Sequence, residues 1–219
     1  MIDIHLIINS LPNLLNGSLI TLKIVIVAFS IGIPLGALIS ILETSKSFIL
    51  SAIINIYVTI VRGTPVLIQI FFIYYTLPQF NISIQPTLVA SIAIGLNSSA
   101  YVSQILKSGI NAVPLGQIEA AKTLGLNIFV TMKDIILPQV FKTSIPSFGN
   151  ELITIIKDSS LASIIGVMEL SKEASIIRSR TYDAFSILLS ISLIYLLLTT
   201  IVSYGVKILN QRLKINAAS

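Results

Sequence analysis

The stretch that decides the fold runs from residue 119 to residue 138 and carries its informative positions at set intervals: Glu119-Ala120-Ala121, Gly125, Ile135, Leu137 and Pro138. It is a polar segment between two long apolar runs, so it must lie in water if its neighbours lie in a membrane. Residues 119–124 are good helix formers, and Gly125 can end their helix in a left-handed conformation. We therefore predict a short helix, a turn and a second helix that closes before Pro138.

The composition excludes several classes of protein. With 54% hydrophobic and 11% charged residues, the chain is too apolar for a soluble domain of 219 residues. The absence of cysteine excludes disulfides and cysteine metal sites, and the single histidine, His5, argues against a histidine-built metal site. The basic residues behind the net charge of +5 lie in short loops beside apolar runs. That pattern indicates membrane orientation and not nucleic-acid binding.

Apolar segments long enough to cross a membrane follow one another along the chain. A spanning helix needs about 20 mostly apolar residues. Five segments qualify, with approximate edges, at 20–42, 52–77, 84–106, 143–168 and 184–209. No basic residue precedes the first span before Lys23, so we do not expect a cleaved signal peptide. No repeat or linker divides the chain, which is predicted to be one all-α transmembrane domain over residues 1–219.

Lysine and arginine positions predict the orientation. With the N-terminus outside, eight basic residues fall on the cytoplasmic side: Lys46, Lys107, Lys122, Lys133, Lys142, Lys207, Arg212 and Lys214. Four fall on the other side: Lys23, Lys172, Arg178 and Arg180. Arg62 and Lys157 lie within spans and are not counted. The excess favours an external N-terminus and a cytoplasmic C-terminus, and it places residues 107–140 in the cytoplasm.

The spacing of the decisive stretch resembles the EAA loop of the membrane subunits of ABC importers and matches it at every set position. The resemblance implies that residues 107–140 form coupling helices that sit in a cleft of an ATPase subunit. The contact residues it implies are Glu119, Ala120, Ala121 and Gly125. The alternative is an amphipathic connector on the membrane surface, which Lys122, Lys133 and Lys142 would also suit.

No nucleotide-binding signature is present in the chain itself. The pattern G-x-x-x-x-G-K-[ST] is absent, as is any Gly-Lys pair. The chain is therefore expected not to be an enzyme and to hold no cofactor. If it takes part in ATP-driven transport, ATP and Mg²⁺ bind a partner ATPase.

Arg62-Gly63-Thr64-Pro65 interrupts the second span. An arginine at membrane depth must face protein or water, and glycine and proline loosen the helix around it. Alternatively, Arg62 lies near the interface and snorkels. The stretch and the residues that follow it, Gln69, Phe71, Phe72, Tyr74 and Tyr75, resemble the RGTP-x-L-x-Q-x-F-F-x-Y segment of polar amino acid permeases.

A polar stripe follows one face of the third span. Its members step by four, three and four residues: Asn97, Tyr101, Gln104 and Ser108. Helix–helix hydrogen bonding explains the stripe as well as a translocation path does. Residues 101–117 also resemble the family segment Y-x-x-E-I-x-R-G-G-I-x-S-V-P-x-G-Q. Gln104 replaces its acid and Lys107 its arginine, so we expect a Glu–Arg pair at that interface to be missing.

The fourth span carries the most unusual chemistry. Glu151 and Asp158 are seven residues apart and share a helix face, with Lys157 about 100° away. Such groups pair with one another or line a water-filled path. An amino acid needs both signs of charge at its site, which this segment supplies. It also resembles the E-L-x-x-x-x-K-D-T-S-L-A-S stretch of polar amino acid permeases, with Ser159 for the threonine.

Two further features carry simpler expectations. Gly32 and Gly36 lie four residues apart in the first span, which predicts close packing against another helix. The charged loop between the fourth and fifth spans is a solvated loop or a docking surface for a binding protein. Its charged residues are Glu169, Lys172, Glu173, Arg178, Arg180 and Asp183.

Together these resemblances imply the permease subunit of an ABC importer for polar amino acids, with five helices of the type I importer fold, in a bacterial inner membrane. The implied partners are a second permease subunit, two ATPase subunits, an extracytoplasmic amino acid-binding protein, the amino acid and membrane lipid. The substrate-path residues we expect are Arg62, Thr64, Asn97, Glu151, Lys157, Asp158 and Ser159. A stand-alone secondary transporter or channel is the alternative from another class, since broken charged helices occur there too. A scaffold protein would leave the charges of the fourth span unexplained.

Overall fold

A computed structural model describes residues 2–43 and 47–215, without the side chains of residues 214 and 215. Lys46 and the side chain of Lys214, which enter the charge comparison, lie outside the described residues. The helices are α1 (Ile4–Glu43), α2 (Phe48–Gly63), α3 (Val66–Thr76), α4 (Pro86–Asn111), α5 (Leu115–Thr123), α6 (Ile128–Val130), α7 (Leu137–Asp158), α8 (Leu170–Thr181) and α9 (Ala184–Ile215). A π-helical segment spans Thr131–Ile136, and 3₁₀ segments span Leu77–Phe80 and Ser159–Ile165.

Small residues bring α1 and α4 into the most extensive helix pairing of the described chain. A Cβ placed on Gly36 would lie 2.5 Å from Val102 Cγ1, and one on Gly32 would lie 2.9 Å from Ser98 Oγ. From the α4 side, a Cβ on Gly95 would meet the Ala28 carbonyl oxygen at 2.9 Å. The close packing predicted for Gly32 and Gly36 is confirmed, and their partner is α4.

Among the described residues, three helices are long and apolar enough to cross a membrane: α1, α4 and α9. A fourth candidate is α2 together with residues 66–80, a pair bent by 106°. The expected fourth span, 143–168, is not continuous, since α7 ends at Asp158 and a 3₁₀ segment follows, and α7 by itself is not among the helices apolar enough to cross a membrane. The charged residues of α7 lower its hydropathy, and two of them, Lys157 and Asp158, are its last two residues.

The segment between α4 and α7 starts with the predicted short helix and turn, but the second helix differs from the prediction. α5 ends in a Schellman arrangement: Leu126 N–H donates to Ala121 C=O and Gly125 N–H to Lys122 C=O, both at 3.0 Å. Gly125 has φ +72°, which confirms its predicted left-handed conformation.

The second helix of this segment does not close before Pro138, and that prediction was wrong. The chain stays helical from Ile128 through the π-helical segment into α7, and Pro138 lies in the first turn of α7. The wider π turn accommodates a residue that lacks an N–H, so the proline is tolerated there. Gln139 Nε2 donates to Gln117 Oε1 at 2.6 Å, and this bond holds α5 against α7.

Substitution of Gly125 by alanine is expected to destabilise the α5 turn by about 1–2 kcal/mol, because a Cβ is disfavoured in the left-handed region. The matched control is Gly116→Ala, within α5, where φ is not positive and an added Cβ meets nothing within 4 Å. Thermal unfolding of the purified protein should show a lower midpoint for Gly125→Ala than for Gly116→Ala. Equal midpoints would mean that the turn adjusts without strain.

Glu169 links α8 to two long helices beside it, α1 and α9, through hydrogen bonds. Its side chain is fully buried and caps α8, accepting from the backbone N–H groups of Ser171 at 2.9 Å and Lys172 at 2.8 Å. The Tyr195 hydroxyl on α9 donates to Glu169 Oε2 at 3.1 Å, and the Thr21 hydroxyl on α1 does so at 3.4 Å. One carboxylate therefore joins three helices, and no feature of the sequence distinguishes it from the other charged residues of its segment.

The beginnings of α1 and α9 lie together. Asp183 caps α9 by accepting from the Ser186 N–H at 3.0 Å and the Ser186 hydroxyl at 2.6 Å, and these bonds hold the pKa of Asp183 below its ordinary value. The Asp3 N–H donates to the same hydroxyl at 3.0 Å. At its other end, α1 contacts the last turns of α4 through Glu43 and Lys107. The segment that contains α5 therefore lies at the opposite end of α1 from α8.

Candidate functional site

Two adjoining cavities lie between α2, α4 and α7. The Gln104 cavity has a volume of ≈ 540 Å³ and includes Gln104, Ser108 and Asn150 in its lining. The Asp158 cavity has a volume of ≈ 450 Å³ and includes Thr64, Asn97 and Asp158. The residues common to both are Arg62, Tyr101, Glu151 and Thr154. These four side chains mark the passage from one cavity to the other.

Arg62 reaches the cavities from the last turn of α2. Its guanidinium carbon lies 5.3 Å from the centroid of the Tyr101 ring, a cation–π arrangement. Within residues 2–43 and 47–213, the only salt bridge joins Glu43 to Lys107, so no carboxylate neutralises Arg62. Its charge and its hydrogen-bond donors are available to a ligand in either cavity.

Glu151 and Asp158 face the cavities together from α7. Both line the Asp158 cavity, which confirms the prediction that they share one face, and Glu151 also lines the Gln104 cavity. Lys157 is exposed and lines neither. No Lys157 salt bridge to Glu151 or Asp158 forms in the described part of the chain. The lining of the Asp158 cavity therefore carries two acids and one base.

Thr64 and Asn97 line the Asp158 cavity and also repair the helix break beside it. Because Pro65 has no N–H, the Val61 carbonyl loses its helical donor. Gln69 Nε2 replaces that donor at 2.9 Å, and Asn97 Nδ2 approaches the same oxygen at 3.4 Å. Asn97 Nδ2 also donates to Gln69 Oε1 at 3.2 Å. The Thr64 hydroxyl donates to the Ile60 carbonyl at 2.9 Å and accepts from Gln69 Nε2 at 2.9 Å.

This network gives the predicted interruption of the second span a physical basis. Backbone groups freed at membrane depth must be satisfied by protein, and side chains of α3 and α4 satisfy them here. Gln69 is the central residue of the network, and its spacing from Pro65 was the available sequence signal. Asn97 is only 9% exposed, so most of its surface serves this network and not the cavity.

Ser159 lies outside the cavities. It is fully buried, and its hydroxyl donates to the Ile156 carbonyl at 2.7 Å at the start of the 3₁₀ segment. This bond stabilises the transition from α7 to the 3₁₀ turn. Of the seven residues expected on the path, five line the cavities, and Lys157 and Ser159 do not.

The polar stripe of α4 divides between two roles. Tyr101, Gln104 and Ser108 line the Gln104 cavity. Gln104 Nε2 also donates to Glu43 Oε2 at 3.0 Å, beside the Lys107–Glu43 salt bridge. An acid–base pair is therefore present near the position where we expected one to be missing. Its acid comes from α1, and the pattern of α4 alone could not reveal it.

The exposed face around α5 contains three of the four expected contact residues. Glu119, Ala120 and Gly125 are exposed, whereas Ala121 is 2% exposed and packs inside the chain. Sequence reasoning missed three apolar side chains beside them, Leu124, Ile128 and Phe129, each at least 70% exposed. Such a cluster of polar and apolar side chains is typical of a protein interface.

The charged segment between α7 and α9 forms the helix α8. Arg178 and Arg180 are exposed in its last turn, and Tyr182 follows with 91% of its surface exposed and φ 57°. Cations at a helix C-terminus are favourable in themselves, so their position has a local explanation. The same side chains form a basic, aromatic corner at the far end of the molecule from α5.

Comparisons with known proteins agree with one another. Residues 32–215 match the family described as binding-protein-dependent transport system inner membrane component. The putative glutamine transport system permease protein GlnP of Rickettsia typhi is 38% identical over 204 residues, which cover 93% of this chain and 94% of that protein. The arginine transport system permease protein ArtQ of Bacillus subtilis is 38% identical over 218 residues, covering 98% and 99%.

The similarity to known proteins includes the fold, as one solved structure shows. It is a crystal structure of an amino acid ABC transporter with histidines, 34% identical in sequence. The superposition has a TM-score of 0.91 and covers 97% of this chain and 99% of that chain.

Proposed function

This chain belongs to the family of binding-protein-dependent transport system inner membrane components, and from that premise we propose that polar amino acids are its substrates. It has the type I ABC permease fold and is a transport subunit, not an enzyme. The permeases it resembles are named for glutamine, arginine and cystine, which share the α-amino and α-carboxyl groups and differ in side chain. The shared groups are the chemistry that a common site has to recognise.

The observation that carries the proposal is the charge distribution around the Asp158 cavity. Arg62 faces it from one side, and Glu151 and Asp158 face it from α7. The substrate carboxylate pairs with Arg62, and its ammonium pairs with Glu151 or Asp158. Ion pairs that are shielded from bulk water are strong when each charged group has both an opposite charge and hydrogen-bond partners. Thr64 and Asn97 form the polar wall beside them.

We infer five membrane spans with an external N-terminus. α7 supplies the remaining span, because its charged residues face a cavity and not lipid, which is how a membrane helix accommodates them. The eight-to-four excess of lysine and arginine supports the same orientation. α5 then faces the cytoplasm, and α8 faces the outside of a bacterial inner membrane.

The complex we infer has two permease subunits, two ATPase subunits and an extracytoplasmic amino acid-binding protein. α5 and the turn after it act as the coupling helix, with Glu119, Ala120 and Gly125 against the ATPase and Leu124, Ile128 and Phe129 as its apolar contacts. ATP and Mg²⁺ bind the ATPase. The exposed face of α8 docks the binding protein. ATP binding shifts the population of the permease pair between outward-open and inward-open states.

Uptake by proteoliposomes tests this proposal. Vesicles that contain the permease and its ATPase, with the binding protein added outside and ATP enclosed, are expected to accumulate a radiolabelled polar amino acid. Vesicles with enclosed ADP are the control and are expected to show no accumulation. Uptake driven by a proton or sodium gradient without the ATPase would instead indicate a secondary transporter.

A further inference from the structure

An ion pair between a buried carboxylate and a partly exposed lysine connects the ends of α1 and α4. Lys107 Nζ lies 2.5 Å from Glu43 Oε1, and Gln104 Nε2 lies 3.0 Å from Glu43 Oε2. The Glu43 side chain is only 4% exposed, whereas that of Lys107 is 40% exposed. A carboxylate that is almost fully removed from water requires hydrogen-bonded or charged partners. The two partners that the structure describes, Gln104 and Lys107, both lie on α4.

The position of Glu43 is not explained by helix stability. It is the last described residue of α1, and α2 begins at Phe48, so its negative charge lies near a helix C-terminus and opposes the helix dipole. The pair is also weak evidence for stability, because the cost of removing its carboxylate from water offsets much of the attraction. The contacts around the pair point to a different role.

Those contacts lead in one direction to α5. Leu106 and Ile110, in the last turns of α4, belong to an apolar cluster with Ile118 of α5. Ile136 and Val140 complete that cluster from the π-helical segment and α7. A displacement of α5 therefore acts on the part of α4 that carries Lys107.

In the other direction the contacts lead to the cavities. The Glu43 carbonyl accepts from the Ser51 hydroxyl at 3.1 Å, and Ser51 lies in the first turn of α2. α2 ends at Arg62 and Gly63, and Arg62 lines both cavities. The route from α5 to Arg62 therefore passes through α4, the ion pair and α2.

We propose that Glu43 and Lys107 form the joint through which movement of α5 is transmitted to α2 and Arg62. The inference rests on the proposed function, because an ATPase partner has to move α5. Both are positioning residues, since neither lines a cavity. Spatial continuity alone does not establish coupling, so the test measures the coupling itself.

The measurement is amino acid-stimulated ATP hydrolysis, relative to basal hydrolysis, by the reconstituted complex with its binding protein. Glu43→Gln and Lys107→Gln are each expected to lower the stimulation about fivefold or more while basal hydrolysis remains. Glu43→Lys combined with Lys107→Glu restores the pair with reversed polarity. Gln104 can accept from a lysine through its amide oxygen. The combined variant is therefore expected to recover stimulation close to that of the parent.

Lys23→Gln is the matched control, because it removes an exposed charge from α1 far from the pair. It is expected to keep the parent's stimulation.

Full stimulation in both single variants would overturn the proposal that the pair is a joint. So would a charge-reversed variant that assembles as well as the parent and stays as impaired as the single variants. If the single variants do not assemble, recovery of stimulation in the charge-reversed variant still supports the joint, and no recovery overturns it. A parent complex that no polar amino acid stimulates would instead overturn the proposed function.

Discussion

Replacement of Glu151 by glutamine is expected to shift the response of ATP hydrolysis to much higher amino acid concentrations, while basal hydrolysis persists. Glu151 lines both cavities, and glutamine keeps its shape but removes its charge. Loss of one partner from a close, poorly hydrated charge pair costs about 2–5 kcal/mol, which raises the half-saturating substrate concentration about 30-fold or more. The measurement is the dependence of ATP hydrolysis on amino acid concentration in the reconstituted complex.

Two neighbours on α7 make the comparison specific. Asp158→Asn removes a charge that lines only one of the cavities, so a smaller increase in the half-saturating concentration is expected. Lys157→Gln removes the adjacent exposed charge, which lines neither cavity, and is expected to leave the response intact. Equal impairment of all three variants would point to a general defect of α7. An unchanged response in Glu151→Gln would place the substrate elsewhere.

The sequence predicted local features where one residue type dictates the backbone or a helix period dictates a face. Gly125 takes the left-handed conformation because few other residues do so at little cost. Pro65 ends one helix and begins another because it removes a donor. Glu151 and Asp158 face the same cavity because seven residues are close to two helical turns.

Features that depend on a partner from a distant part of the chain were not predictable. The charge at Lys107 is neutralised from α1, 64 residues away, and no spacing within α4 indicates it. Ala121 is buried against its own chain although its two neighbours in sequence are exposed. Pro138 was read as a helix end because its local penalty is real, whereas the π-helical segment before it removes that penalty.

Replacement of Gly36 by leucine is expected to prevent assembly of the folded permease. An added Cβ would lie 2.5 Å from Val102 Cγ1 and 2.8 Å from the Ser99 carbonyl oxygen, before the rest of a leucine side chain is placed. The carbonyl is helix backbone and cannot rotate away, so α1 and α4 would have to separate. Overpacking costs about 1–3 kcal/mol per site when neighbours can adjust, and more when they cannot. The yield of monodisperse protein after detergent extraction measures the outcome.

The control for this prediction is Gly205→Leu, in α9, where an added Cβ meets nothing within 4 Å. That variant carries the same gain in side-chain volume and apolarity on an exposed helix face, so it is expected to extract like the parent. Gly36→Ala should fall between the two, because one methyl group already meets the Val102 side chain. The separation that leucine forces would also open the contacts at Gly32 and Gly95, since the three glycines belong to one interface. Normal yield from Gly36→Leu would show that α1 and α4 do not need this close approach. The long helices would then be held together mainly by their other contacts, such as the Glu169 bonds among α1, α8 and α9.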